Sequence, residues 1–418
     1  MSEMAWIDAA LTAARPQALS ALLRYFRDLD TAEEAFQEAS LRALQKWPEN
    51  GPPRDPVAWL IFVGRNAALD GVRRRRKQQA LPADDTISDL NDAEAALAEQ
   101  LDVAHYRDDV LRLLFICCHP DLPVTQQIAL ALRIVCGLSV QQIARAFLVG
   151  DSAMEQRITR AKNRVASADV AFEAPGAPER AERLAAVAAV IYLIFNEGYS
   201  ATAGSAPVRA PLCEEAIRLA RLLVRLFQSE PEILGLMALL LLQHSRAAAR
   251  LDAEGAVILM EDQDRGLWDR NLIAEGLALL DKAMRHERPG PYQVQAAIAA
   301  LHASADRADA TDWAQIDLLY ASLERLQPSP IVTLNRAVAV AKTRGPGAAL
   351  AMIEPLAPSL SGYFHFFGLK GALLAQLGRG DEARVAFDRA IALANTAAEA
   401  AHIRTHLDRL LREKFASV

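Results

Sequence analysis

Four groups of side chains have the residue types that chemistry needs, and each fails on spacing. Cys117-Cys118-His119, with Cys136 further along, offers the donors of a zinc site. Adjacent cysteines lack the Cys-x-x-Cys spacing that lets two thiolates reach one ion, so they read as small buried residues of a helix. His402 and His406 stand four apart, but no glutamate follows His402, which excludes the metalloprotease signature. Asp262-x-Asp264-x-Gly266 lacks the closing glutamate of a calcium loop. Gly378-x-Gly380-x-x-Ala383 imitates a dinucleotide fingerprint, but it joins two helical segments with no strand before it. No Walker lysine motif and no nucleophile elbow is present. The sequence therefore predicts no enzyme, no cofactor and no metal.

What remains is arginine, and arginine suits phosphate and base edges. One basic cluster is Arg65 followed by Arg73-Arg74-Arg75-Arg76-Lys77; the other is Arg157, Arg160, Lys162 and Arg164. The second lies in a pattern that places it. In residues 138–165, Ser139 can cap a short helix that carries Ile143, Ala144 and Phe147 on one face. Leu148–Asp151 reads as a turn, with Gly150 supplying it, and Asp151 or Ser152 as the cap of the next helix. On that helix Met154, Ile158, Ala161 and Val165 form an inward stripe, leaving Gln156, Arg157, Arg160, Lys162 and Asn163 outward. This is a helix-turn-helix whose second helix can present its N-terminal side chains to the major groove.

The elements that must carry these clusters are helical. Ala, Leu, Arg, Glu and Gln dominate, and apolar residues recur at three- and four-residue spacing, as in Leu219, Leu222, Leu223 and Leu226. The run Ile191–Phe195 has strand propensity, but its flank Ala181–Val190 is helical, which favours a buried helix. Pro48–Pro53 reads as a breaker-rich loop, residues 80–104 as an acidic linker, and Glu173–Pro178 as a second linker. Segments 330–363 and 364–397 align at a 34-residue offset, the tetratricopeptide period: Ala337 falls on Gly371, Ala349 on Ala383, Val340 on Leu374, Ile353 on Phe387. Trp47 and Trp59 have apolar neighbours and read as core.

Length and composition bound the rest. The chain has 418 residues, 52% hydrophobic and 23% charged, enough for two or three domains with real cores. Four cysteines without framework spacing, and a first segment without an apolar signal core, imply a soluble protein of the cytoplasm. A net charge of −6 argues against nucleic-acid binding only if charge is uniform, and here it is segregated.

Three stretches carry a family resemblance. Residues 28–44, DLDTAEEAFQEASLRAL, resemble the polymerase-clamp helix of extracytoplasmic-function (ECF) sigma factors. Residues 56–74, with Trp59-Leu60, Arg65-Asn66 and Asp70-x-x-Arg73, resemble their promoter-melting helix; residues 138–165 resemble their fourth region. The rest resembles the long tetratricopeptide-like extension of one subgroup. The resemblance implies an all-α chain: region 2 over 1–79, an acidic linker over 80–106, region 4 over 107–172, and a helical extension over 173–418 with repeats at 330–397. It implies core RNA polymerase and promoter DNA as partners. Glu34, Gln37, Glu38 and Leu41 would dock on polymerase. Asn50, Arg54, Asp55, Arg65, Asn66, Arg73 and Arg74 would engage the minus-ten element. Ser152, Glu155, Gln156, Arg157, Arg160 and Lys162 would engage the minus-thirty-five element. Glu155 departs from the basic or small residue of many relatives; it can accept from a cytosine amino group or favour the helix N-terminus. The extension would tune activity, either by intramolecular contacts that hold the sigma domains or by added contacts to polymerase or DNA. An ordinary helix-turn-helix regulator with a tetratricopeptide sensing or scaffold domain is the alternative; it has no need of the 28–74 signatures.

Overall fold

A computed structural model describes residues 5–51, 53–76, 103–147, 149–167, 177–201, 210–252 and 258–394. Among them every regular element is helical, as the spacing of apolar residues requires. The chain divides into two compact units, 1–193 and 194–418.

In the first unit α1 (Ala5–Phe26), α2 (Leu29–Asn50) and α3 (Pro56–Arg76) pack on one another. Their shared core holds Leu19 and Leu22 of α1, Ala35, Phe36 and Ala39 of α2, and Leu60 and Val63 of α3. Asp28 caps α2, its carboxylate accepting the Thr31 N–H at 2.7 Å. Trp6 stacks on Trp47 with ring centroids 6.1 Å apart, and Trp47 meets Trp59 edge-on at 5.4 Å; Trp47 and Trp59 are buried in the core, as expected. The Pro48–Pro53 loop is shorter than the sequence suggested. α2 continues through Pro48 to Asn50: the proline removes one hydrogen bond of the last turn, but Trp47 is anchored in the core and its carbonyl accepts the Gly51 N–H at 2.9 Å.

Four further helices follow: α4 (Val103–Cys117), α5 (Val124–Ile134), α6 (Val140–Ala146) and α7 (Asp151–Ser167). α4 lies against α1 and α5, while α7 lies against α5 and α6. The first three helices and the helix-turn-helix thus pack within one compact unit. Cys117, Cys118 and Cys136 are buried, and burial pushes the Cys118 thiol up to about 12. The run Ile191–Phe195 is helical, inside α8 (Ala177–Ala201). The division between the units falls within α8, about fifteen residues beyond the linker expected at 173–178, most of which lies outside the described residues.

The second unit stacks helix pairs. α9 (Ala210–Leu226) and α10 (Pro231–His244) are followed by α11 (Arg270–Met284), α12 (Pro291–Ser304) and α13 (Trp313–Leu326). α10 is apolar all round and packs against α9, α11 and α12; such a helix must be buried. Among the described residues no helix is long and apolar enough to cross a membrane. Next come α14 (Pro330–Arg344) with α15 (Pro346–Ile353), then α16 (Phe364–Gln376) with α17 (Gly380–Leu393). Both helices of the last pair begin 34 residues after those of the pair before. The aligned residues Ala337, Val340, Ala349, Ile353, Leu374, Ala383 and Phe387 are buried in one core. Gly371 shows why small residues recur there: a Cβ would lie 2.6 Å from the Phe387 ring.

That contact yields a prediction. Gly371→Val must displace Phe387 and should cost about 1–3 kcal/mol of stability in denaturant unfolding. Gly380→Ala meets nothing within 4 Å. It should change stability by no more than a gain of about 1 kcal/mol.

Candidate nucleic-acid and polymerase interface

The helix-turn-helix is built by capping and by one close approach. Ser139 Oγ accepts the Gln142 N–H at 3.1 Å, and Gln142 Oε1 accepts the Ser139 N–H at 2.7 Å. This reciprocal box starts α6. Ala144 is fully buried where α6 meets α7, and Met154, Ile158, Ala161 and Val165 form the buried stripe of α7. Two expectations about the turn need correction. Gly150 has no positive φ and a Cβ there meets nothing within 4 Å, so glycine is not sterically required. Asp151 and Ser152 are not caps; α7 already begins at Asp151, and Gly150 O accepts the Met154 N–H.

Ser152, Glu155, Gln156 and Arg160 are exposed along one face of α7, joined by Asn163, with Arg157 half-buried beside them. Lys162 does not join them. At 100° per residue it falls on the flank of the buried stripe, and its side chain is 18% exposed. Lys162 Nζ donates to Asp30 Oδ1 at 2.6 Å and to Glu33 Oε2 at 2.8 Å, both on α2. In this conformation Lys162 is an intramolecular cation and not part of the open face.

Glu33 is the hub of that contact. It is 4% exposed, and its other oxygen lies 3.0 Å from the Arg133 guanidinium of α5 and 3.7 Å from that of Arg15 of α1. Arg15 Nε also donates to the Ile134 carbonyl at 2.9 Å. Four helices therefore meet on one carboxylate. Burial alone would push the Lys162 ammonium down; its hydrogen bonds to Asp30 and Glu33 outweigh that and hold it above the ordinary lysine value. A second ion pair, Arg24 of α1 to the buried Asp109 of α4 at 3.1 Å, ties the same two halves.

The remaining expected residues divide by what they touch. Glu34, Gln37 and Leu41 are exposed on one face of α2, with Glu38 half-buried beside Arg42 at 3.0 Å. Leu44 extends this face and is 38% exposed, beside Leu41 at 51%. Two leucines open to solvent on one helix face suit a protein partner. Near the loop, Arg54 is exposed, but the Asp55 carboxylate caps α3, accepting from Val57 at 2.9 Å and Ala58 at 3.0 Å. The Arg65 guanidinium lies over the Tyr25 ring, 4.2 Å from its centroid, and Asn66 is exposed. The backbones of Asn50, Arg73 and Arg74 are helical; their side chains lie outside the described residues.

Three comparisons bear on this geometry. Residues 11–78 match sigma-70 region 2, and residues 112–165 match sigma-70 region 4. Together the two regions indicate an ECF-type sigma factor with a C-terminal extension. Within the extension, residues 183–284 match a family of unknown function (DUF6596). The sigma factor is 69% identical over 413 residues to a relative described as Uncharacterized protein R00370, from Rhizobium meliloti (strain 1021). That match covers 99% of this chain and 98% of the relative. No solved structure matches the chain.

Sequence reasoning missed Glu33, Arg15 and Arg133 in the sigma factor. Their signal was a charge set in an apolar helical stripe: Glu33 between Ala32 and Phe36, and Arg133 within Ile128–Ile134. Removing the hub carboxylate would strand buried cations, so Glu33→Ala should cost about 3 kcal/mol in denaturant unfolding. The exposed neighbour Glu34→Ala should stay within about 0.5 kcal/mol. Equal losses would show that no such hub exists. Because the Lys162 value is raised, its pairing contributes fully below pH 10.5 and is lost as pH rises beyond that. Lys162→Met should remove this alkaline component from a stability-versus-pH series.

Proposed function

We propose that this chain binds core RNA polymerase, recognises the minus-thirty-five and minus-ten promoter elements and starts transcription from the cytoplasm. In this reading Glu34, Gln37, Glu38 and Leu41 dock on polymerase, and Leu44 extends their face. Ser152, Glu155, Gln156, Arg157 and Arg160 read duplex DNA, and Asn50, Arg54, Arg65, Asn66, Arg73 and Arg74 follow the melted strand. Asp55 acts by holding the start of α3. The observation that carries the reading is that regions 2 and 4 match in order while both expected faces are open to solvent.

The proposal includes a change of shape. Elements centred ten and thirty-five base pairs from a start site lie about 25 steps apart, roughly 85 Å at ~3.4 Å per step. In the compact unit Lys162 and Asp30 are 2.6 Å apart. Both elements cannot be held from that arrangement, so the Glu33 contacts must break on the promoter. The 26 residues between α3 and α4 permit it, since their extended reach is about 90 Å. Lys162, freed from Glu33 and Asp30, then becomes available to phosphate.

The extension, with its 34-residue helix-pair repeat, is read as tetratricopeptide-like and as tuning the activity of the sigma domains. The period and the buried small residues at helix crossings support this.

Purified chain, core polymerase and a promoter found by mapping transcript starts test the proposal. Arg157→Ala with Arg160→Ala should lower promoter use by at least tenfold while core binding persists, at ~1–3 kcal/mol per base-reading contact. Leu41→Asp should lower core binding instead. Tight duplex binding without polymerase, unaffected by Leu41→Asp, would favour an ordinary helix-turn-helix regulator.

A further inference from the structure

The second unit contains a cleft of about 1050 Å³ that promoter recognition does not use. Its walls come from α13, α14, α16 and α17, and its floor from the segment Leu259–Arg265 and the end of α12. One side is apolar and aromatic, formed by Trp313, Ile316, Tyr320, Val338 and Phe387. Its size is that of a small-molecule site, in which apolar walls surround a few polar groups.

The polar groups are unbalanced. Arg265 lies on the floor, 8% exposed. Its guanidinium donates to the carbonyl of Ala305 at 2.7 Å and to that of His302, and it lies over the Trp268 ring at 4.7 Å. Its Nε is buried without a hydrogen-bond partner. Arg246, 7% exposed, lies 5.8 Å from the centroid of the same ring. Among the described residues no carboxylate forms an ion pair with either arginine. The two acids that line the cleft are occupied elsewhere: Glu261 pairs with Lys342 at 3.1 Å, and Asp309 pairs with Arg307. The C-terminal carbonyls of α12 supply about half a negative charge, less than two buried guanidinium groups require. His302, edge-on to Trp313 at 5.3 Å, records the imbalance. Burial, then Arg246 and Arg265, lower it to about 4, so it adds no charge at neutral pH. Burial, then Arg246 and Arg270, pull Arg265 below its ordinary value as well.

We propose that this cleft binds a small organic anion, with its charged group toward Arg265 and an apolar, ring-bearing body against Trp313, Tyr320 and Val338. The anion supplies the charge that the floor lacks, and the body covers the aromatic wall. Lys342, at the rim and 5.9 Å from the Trp313 ring centroid, can exchange Glu261 for the ligand. The extension then senses a metabolite-sized anion in addition to any protein it touches. The inference does not depend on the promoter reading.

Two probes with the same rings test it on the full chain: 8-anilinonaphthalene-1-sulfonate and the uncharged N-phenyl-1-naphthylamine. Emission titrations should show one sulfonate site per chain, at least tenfold tighter than the uncharged probe. Arg265→Met should bring the two affinities within twofold. Val338→Trp, at a residue 37% exposed on the cleft wall, fills the space without touching the charges and should weaken the sulfonate at least tenfold. That variant keeps the test valid if Arg265→Met fails to fold. Equal affinity of the wild-type chain for both probes overturns the proposal. So does a sulfonate affinity unchanged by Val338→Trp, which would place that probe elsewhere.

Discussion

A carboxylate taken out of water must be matched by cations, and Glu33 meets that demand from three directions. Lys162, Arg133 and Arg15 come from three helices to its two oxygens, and each would be costly to leave alone in a buried setting. The consequence is geometric. α2 cannot satisfy Glu33 without holding α1, α5 and α7 in register, so region 2 and the helix-turn-helix become one compact unit. The open faces follow from the same constraint. With Glu33 turned inward, Glu34, Gln37 and Leu41 turn outward on α2. With Lys162 turned inward, Ser152, Gln156 and Arg160 turn outward on α7.

Buried ion pairs contribute specificity more readily than raw stability, because desolvation offsets most of their attraction. A contact of that kind suits an interface that must form and also separate. An all-apolar seam of the same size would hold regions 2 and 4 together more firmly and would resist the separation that two distant promoter elements demand. Arg24 with Asp109 repeats the device at a second place in the same seam.

Helix content, the buried tryptophans, the inward stripe of α7 and the 34-residue spacing all follow from periodicity, which sequence carries directly. Pairing between distant helices does not. Lys162 looked outward because it is charged, yet its angle on α7 sets it beside the buried stripe, where Asp30 and Glu33 await it. Gly150 looked obligatory because turns favour glycine, yet its backbone is ordinary. Asp55 was placed at the minus-ten element by resemblance alone, and only the fold shows that its carboxylate accepts from two backbone N–H groups. In the extension, only the fold brings Arg265 to the floor of a cleft beside Trp313.

The central claim is that the compact sigma unit is the polymerase-free form and that it opens on a promoter. Spin labels at Asp8 on α1 and Asn163 on α7, both exposed, would report it directly, since all four native cysteines are buried. The free chain should give one short, narrow distance by pulsed electron resonance. Core polymerase with promoter DNA should lengthen it by tens of ångströms, on the scale of the ~85 Å between elements. A distance that is unchanged in the promoter complex would contradict the account.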